Sequence, residues 1–437
     1  MSLSENEYRV LNVLLREPNL SYTEIAQKLD LSVTSIRNLI FSLMEYTEND
    51  SLEDDDKSKL QSNSSYVNLN PKHTHNLSFY GKFNYKLLNL TRYDFFIACS
   101  SIDQMLHVKK FCDAHPYTAF RARIHGGTNG VYVLFEMPEE ILNMLLISLQ
   151  AFKEDNLIDD FHQIIENRNF TTFSLLKIDV FDVHQNKWIF NFEEFKKEIL
   201  ENLPGTKLKD YFLTENKKPI MHKLDKIDVL ILNEWGYGAG PRKTKAELLH
   251  NITTGKIYEN FIKDLKLNRY IISDHVDSLL KEKIVKSVGI GFDRKKIQIL
   301  TTIFYTGQSN TEFLNIFANF INGENFPFDS VLSVGDVTED KTANFTWWVS
   351  FTANVVSKFT EFLFENCISL HTSIVASNPE HLDNYPFYHA NFIPDTNNNG
   401  GSWNVSNEWC FQEPLKVFYD SNKIKSLSSS ISENGKK

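Results

Sequence analysis

His125-Gly126-Gly127 sets a histidine ahead of paired glycines, residue types that build a backbone-rich oxyanion loop in acyl-transfer hydrolases. Such a loop works only beside a Gly-x-Ser-x-Gly nucleophile elbow and a histidine–acid pair that activates the serine. The nearest string, Gly307-Gln308-Ser309-Asn310-Thr311, lacks the second glycine. Phosphate-cradling motifs of the GxxxxGK[ST] or strand–GxGxxG–helix type are absent as well. His73-Thr74-His75 is a tight histidine pair with no third metal ligand near it in sequence. The four cysteines (Cys99, Cys112, Cys367, Cys410) form no CxxC pair, so they read as small buried hydrophobes rather than a zinc site or disulfide framework. On these motifs the expectation is a non-enzyme with no cofactor and no metal.

The residues flanking the glycines give a different role to the same stretch. Tyr117 to Ile124 and Val131 to Phe135 are aromatic and β-branched, and they enclose a Gly-Gly-Thr-Asn-Gly turn that tolerates positive φ. Upstream, Tyr93 to Cys99 reads as a strand, and Ile102, Met105, Leu106, Val108 and Phe111 carry helical spacing. Downstream, Pro138 opens a helix over Ile141 to Phe152, and Asp160 to Glu166 reads as a strand. The order is that of a ferredoxin-like βαββαβ unit.

The order recurs. Lys296 to Tyr305 predicts a strand and Thr311 to Ile321 an amphipathic helix. Val331 to Val334 and Phe345 to Phe351 form a hairpin, Asn354 to Glu365 a helix, and Ile368 to Ala376 a strand. Each copy ends in a tryptophan-bearing tail, Trp188 to Phe192 and Trp403 to Val405. The pattern predicts an α+β chain built by tandem duplication, with a period near half its length.

A second signature precedes each copy. Tyr8, Leu11, Val13, Leu14 and Leu15 mark one helix, and Ser21 with Glu24 forms a capping box for the next. After a turn at Asp30-Leu31, Ser32 caps a third helix. Its Val33, Ile36, Leu39, Ile40 and Leu43 face a core, leaving Thr34, Ser35, Arg37 and Asn38 outward. This is a helix-turn-helix with a recognition face of small polar groups and one guanidinium. The second version opens at Leu224 to Trp235. It carries an inserted basic run (Gly240-Pro241-Arg242-Lys243-Thr244-Lys245), a helix from Ala246, a second helix from Tyr258 and a turn at Leu267. The third helix places Ile272, Val276, Leu279 and Leu280 in a core and exposes Arg269, Tyr270, Ser273, Asp274 and Asp277.

A helix-turn-helix followed by a βαββαβ unit resembles the feast/famine regulators, the Lrp/AsnC family. The residues that carry the resemblance are Glu24-Ile25-Ala26 to Ile36, Leu224-Asp225-x-x-Asp228, and His115-Pro116 leading into the hairpin. It implies operator binding by paired helix-turn-helix heads, sheets packed face to face, and amino-acid sensing near the pairing interface. Here both copies lie in one chain, an acidic Ser-rich tract stands where a wing should follow Met44, and Asp274 and Asp277 would repel phosphates.

The expected organisation is a first head over 1–47, an acidic linker over 48–70, an effector-type unit over 71–205, a winged second head over 206–292, a second unit over 293–412, and a polar tail over 413–437. Double-stranded DNA is the expected partner, contacted by Ser32, Thr34, Ser35, Arg37 and Asn38 and by Arg242, Lys243, Lys245, Arg269, Tyr270 and Ser273. Gly126, Gly127, Thr128, Asn129 and Gly130 form a candidate rim for a small-molecule effector such as an amino acid. The net charge of −10 excludes indiscriminate coating of nucleic acid but not a local basic contact. The polar N-terminus and the lack of a long apolar run predict a cytoplasmic protein off the membrane, an intramolecular pseudo-dimer able to assemble further. An alternative stays open: a ligand-sensing or protein-interaction module whose degenerate helix-turn-helix binds no specific DNA.

Overall fold

The computed structural model describes residues 3–44, 77–126, 129–165, 168–202, 219–220, 223–236, 240–292, 294–323, 325–376, 382–385, 388–395 and 400–434. The acidic tract and the linker assigned to 48–70 lie outside the described residues, as does His73-Thr74-His75.

The first head is three helices: α1 (Glu5–Arg16), α2 (Tyr22–Leu29) and α3 (Val33–Met44). Ser4 and Glu7 cap α1 reciprocally, and Ser21 and Glu24 do the same for α2. Asp30 then turns the chain at φ 52°, a left-handed conformation that a short polar side chain tolerates. Ile25, Ile36, Ile40 and Leu43 close the small core. Val33, expected inside, is 44% exposed because it sits on the first turn of α3, ahead of the buried stripe.

The first βαββαβ unit comprises β2 (Thr91–Ala98), α4 (Ile102–Ala114), β3 (Thr118–Gly126), β4 (Gly130–Met137), α5 (Leu142–Glu154) and β5 (Asp160–Gln163). The second comprises β10 (Thr301–Asn310), α11 (Thr311–Asn322), β11 (Ser330–Val337), β12 (Thr342–Phe351), α12 (Ala353–Asn366) and β13 (Ser369–Val375). Strand β10 starts five residues later than the sequence predicts. Residues 294–297 form a single 3-10 turn, and Gln298 at φ 60° breaks any extension before Thr301.

In each unit the last strand pairs with the first, the first with the third and the third with the second: β5-β2-β4-β3 and β13-β10-β12-β11. The chain then crosses over. After β5, strand β6 (Arg168–Ser174) pairs antiparallel with β11 of the second unit. After β13, whose end already meets β3, strand β14 (Leu382–Asn384) pairs with β3 of the first. These pairings join both units into one ten-stranded sheet, whose two halves share a small core of Phe96, Ala122, Ile124, Tyr132, Phe304 and Val375.

The crossing extends to the tails. The short strands β7 (Phe181–Asp182) and β8 (Lys187–Trp188) and helix α6 (Phe192–Asn202) share one core with α11, α12 and the strands of the second unit. Head one belongs to that same core. Head two, the first unit and the C-terminal segment build the other. A ribbon of β1 (Leu77–Phe83) against β9 (Val285–Phe292) lies between them. So each head packs with the unit farther from it in sequence.

Two further differences have local causes. Head two uses α7 (Lys226–Trp235), α8 (Lys245–Thr254) and α10 (Arg269–Lys281), with the four-residue α9 (Glu259–Ile262) between the last two. The helix expected from Ala246 is α8, started by a capping box of Thr244 and Glu247 and held by burial of Leu248 and Ile252, whereas the helix expected from Tyr258 shortens to α9, which buries no residue. Leu280, expected in this core, is 49% exposed. Beyond β14 the chain forms β15 (Phe392–Pro394) and β16 (Gly401–Trp403), and the segment read as a polar tail over 413–437 forms α13 (Glu413–Leu415) and α14 (Ser421–Asn434). Leu415 and Ile424 drive its docking onto the first unit. No helix among the described residues is long and apolar enough to cross a membrane.

Candidate nucleic-acid interface

Burial of Ile36, Ile40 and Leu43 fixes the rotation of α3, and the helical repeat turns Thr34, Arg37, Asn38 and Phe41 to solvent. Ser32 accepts a hydrogen bond from the Ser35 amide at 3.0 Å, so these two side chains finish the helix start. The cations of head one divide sharply. Arg9 donates to the Leu29 carbonyl at 2.8 Å, Arg16 pairs with Asp179 at 3.3 Å, and Lys28 bonds Glu17 at 2.5 Å. Arg37 lies 5.4 Å from the centre of the Phe41 ring, and no carboxylate among the described residues pairs with it. An exposed guanidinium stacked on an exposed aromatic keeps its donor fork free for an acceptor outside the protein.

Head two is built differently. Every residue of α7 from Ile227 to Trp235 is buried, because β1, β15 and α8 surround the helix. Lys243, expected at a phosphate, is instead inside: its Nζ lies 2.8 Å from Glu234 Oε2, with side chains 7% and 2% exposed. Tyr258 donates to Glu234 at 2.6 Å and Asn251 at 3.0 Å. Burial opposes the charge on Glu234, yet these donors, Lys243 first, hold its carboxyl below the usual range. Arg242 also turns inward, donating to the Pro18 carbonyl of head one at 2.6 Å. The basic run is therefore structural, not a solvated clamp.

Lys245 bonds Ser273 and both carboxylate oxygens of Asp277 at 3.1 Å, tying α8 to α10 and occupying the middle of the α10 face. Arg269 is exposed and Tyr270 is 83% exposed, so these two remain available to a partner. Sequence reasoning missed a link at the other end of this head. His275 of α10 lies 2.8 Å from Asp228 and 3.6 Å from Asp225, the two residues that cap α7. The three offer metal-ligand atoms within 4.8 Å of one another, but the capping box already engages both carboxylates. The Asp-x-x-Asp spacing was the available signal; the histidine arrives only through the fold.

The glycine turn has a packing role. A side chain on Gly130 would meet the Ile97 carbonyl at 2.2 Å, and one on Gly126, at φ 141°, the Thr372 carbonyl at 2.8 Å. Asn129 is exposed and accepts from the Cys99 amide at 3.1 Å. Gly127 and Thr128 lie outside the described residues. A cavity of about 30 Å³, room for one water, lies away from this turn among Tyr117, Glu136, Tyr385, Asn391 and Trp403.

Residues 3–46 match the winged helix-turn-helix DNA-binding family. The chain thus carries an N-terminal domain of that type. No curated protein matches the chain. Among solved structures, the siroheme decarboxylase NirDL is similar at 10% identity and TM-score 0.47, covering 98% of this chain and all of that one. The same enzyme in co-complex with an iron-uroporphyrin III analogue gives TM-score 0.48 at 10% identity, over 95% of this chain and all of that one. The structure of PH0061 matches over 39% of this chain and 97% of its own at 14% identity, with TM-score 0.25. The NirDL matches correct the expectation of a non-enzyme: a catalyst is among the proteins this chain is similar to, so missing hydrolase and phosphate-loop motifs do not exclude catalysis. At these scores they assign neither substrate nor residues to this chain.

Proposed function

We propose that the chain is a sequence-reading transcriptional regulator of the Lrp/AsnC type, a tandem duplication folded as its own pseudo-dimer. In this reading 1–47 and 206–292 are the heads, and 71–205 and 293–412 the paired units. Thr34, Arg37 and Asn38 of α3 read bases, with Ser32 and Ser35 near the backbone. Arg269 and Tyr270 are the contacts left to head two. Gly126 to Gly130 stays the candidate rim for a small effector such as an amino acid. One observation carries the proposal: the matched DNA-binding family coincides with the head whose outward helix holds a guanidinium with no carboxylate partner among the described residues. The reading concerns the heads and leaves the chemistry of the ten-stranded sheet unassigned.

Selection of duplexes from a random library by the purified chain tests it. A recurring motif of half-site length is expected; recovery without any motif would discard specific binding. A protein-interaction module is the second reading, favoured by charge. In head one Glu5, Glu7, Glu17, Glu24 and Asp30 outnumber Arg9, Arg16, Lys28 and Arg37. Binding that ignores salt would support that module, since phosphate contact makes affinity fall steeply with salt.

A further inference from the structure

Between α7 and α8 the loop Gly240–Lys243 touches three bodies at once. Its inner end is fixed to head two by the buried Lys243–Glu234 pair. Its start presses on the ribbon: Gly240 has φ 53°, and a side chain there would meet the Phe79 carbonyl at 2.6 Å. Pro241 approaches the ribbon at Gly81, whose own Cβ position lies 3.5 Å from the proline ring. Between these anchors Arg242 reaches out of head two. It donates to the Pro18 carbonyl in the α1–α2 turn of head one at 2.6 Å. Its guanidinium lies 4.9 Å from the Phe79 ring centre and 5.5 Å from that of Tyr22, the first residue of α2.

We infer that Arg242 is a strut that sets the distance and angle between the two heads, and through them the spacing of the DNA half-sites the chain accepts. The inference rests on the DNA-binding reading and adds to it a determinant that touches no DNA. A planar guanidinium can bond a carbonyl in its plane while stacking on rings above and below, which fixes direction as well as distance. Loop and strut are tied to head two by a buried charge pair, so movement of one head is passed to the other. Head one has separate attachments to the body, including Tyr8 to the Ile178 carbonyl at 2.8 Å. Loss of Arg242 therefore frees the heads relative to each other without detaching either. Paired heads read sites whose separation mirrors their own, about one helical turn in familiar cases.

The test is selection from the random library by the full chain and by two variants, Arg242→Met, which keeps the stem, and Gly240→Ala, which pushes the loop off Phe79. The native chain should recover two contact zones at one fixed separation. Shifting them apart by about half a helical turn should cost it about tenfold in affinity. Both variants should keep the head-one motif and tolerate the shift with less than about threefold loss. Thermal melting before selection shows that each variant is folded. Fixed separation retained in both folded variants overturns the strut. A native chain that selects one motif with no second zone also overturns it, while leaving head one's reading intact. Recovery of no motif by the native chain is failure of the DNA-binding reading itself.

Discussion

Trp188 and Trp403 make the same hydrogen bond in opposite directions across the molecule. The indole of Trp188, in the tail of the first unit, donates to the Ile297 carbonyl ahead of β10 at 2.6 Å. That of Trp403, in the tail of the second, donates to the Leu88 carbonyl ahead of β2 at 2.5 Å. Each tail seals the entrance of the other unit, and each core is completed by the distant half of the chain.

Trp188→Phe should therefore loosen the second unit, not the first, by about 1–3 kcal/mol for a buried carbonyl left unsatisfied. Hydrogen exchange should accelerate in β10 and β12 while β2 and β4 are unchanged. Trp403→Phe should give the mirror result. Acceleration confined to each tryptophan's own unit would mean the crossing carries no energetic weight.

Cutting the chain between 202 and 219 should leave two halves that co-purify, because head one and α6 are buried with the second unit. Neither half alone should melt cooperatively. Size-exclusion chromatography of co-expressed halves decides this; two separately folded fragments would contradict the crossed cores.

Lys243→Met should destabilise head two by about 3–5 kcal/mol, since it strands Glu234 in a buried site. Adding Glu234→Gln should recover part of that loss in denaturant melts. A single variant as stable as the native chain would show that the pair is not buried in solution.

Histidines set opposite pH limits. Burial pulls His115 down to about 3 and His389 down to about 4, so both are neutral when folded at pH 7. Below about pH 6.5 the unfolded chain takes up protons that the folded one refuses, and stability falls towards pH 4. The hydrogen bond to Asp228, with the neighbouring carboxylates, raises His275 above its ordinary value. Its contribution is complete below about pH 6.5 and is lost as pH rises through the raised value. Melting curves should show that His275→Asn costs more at pH 6 than at pH 9; an equal cost at both would leave the pair uncharged.

Both βαββαβ orders were legible because runs of aromatic and β-branched residues and helical spacing are local signals, as in Val131 to Phe135 and Thr311 to Ile321. The capping box of Ser21 and Glu24 was legible for the same reason. What sequence hid was long-range. Nothing in Arg242 or Lys243 distinguishes a phosphate contact from an internal tie until Pro18 and Glu234 arrive beside them. The β1–β9 ribbon joins strands some 200 residues apart, and Ile424 looked like part of a polar tail until α5 was seen beneath it.

Base reading by α3 is the central claim, and Arg37→Ala tests it most directly. Affinities of native and variant chains should be measured on the selected duplex and on a scrambled one at the same salt concentration. A loss of about 1–3 kcal/mol on the selected duplex, with little change on the scrambled one, is the predicted result. Equal losses on both, or none on either, would contradict base reading by Arg37.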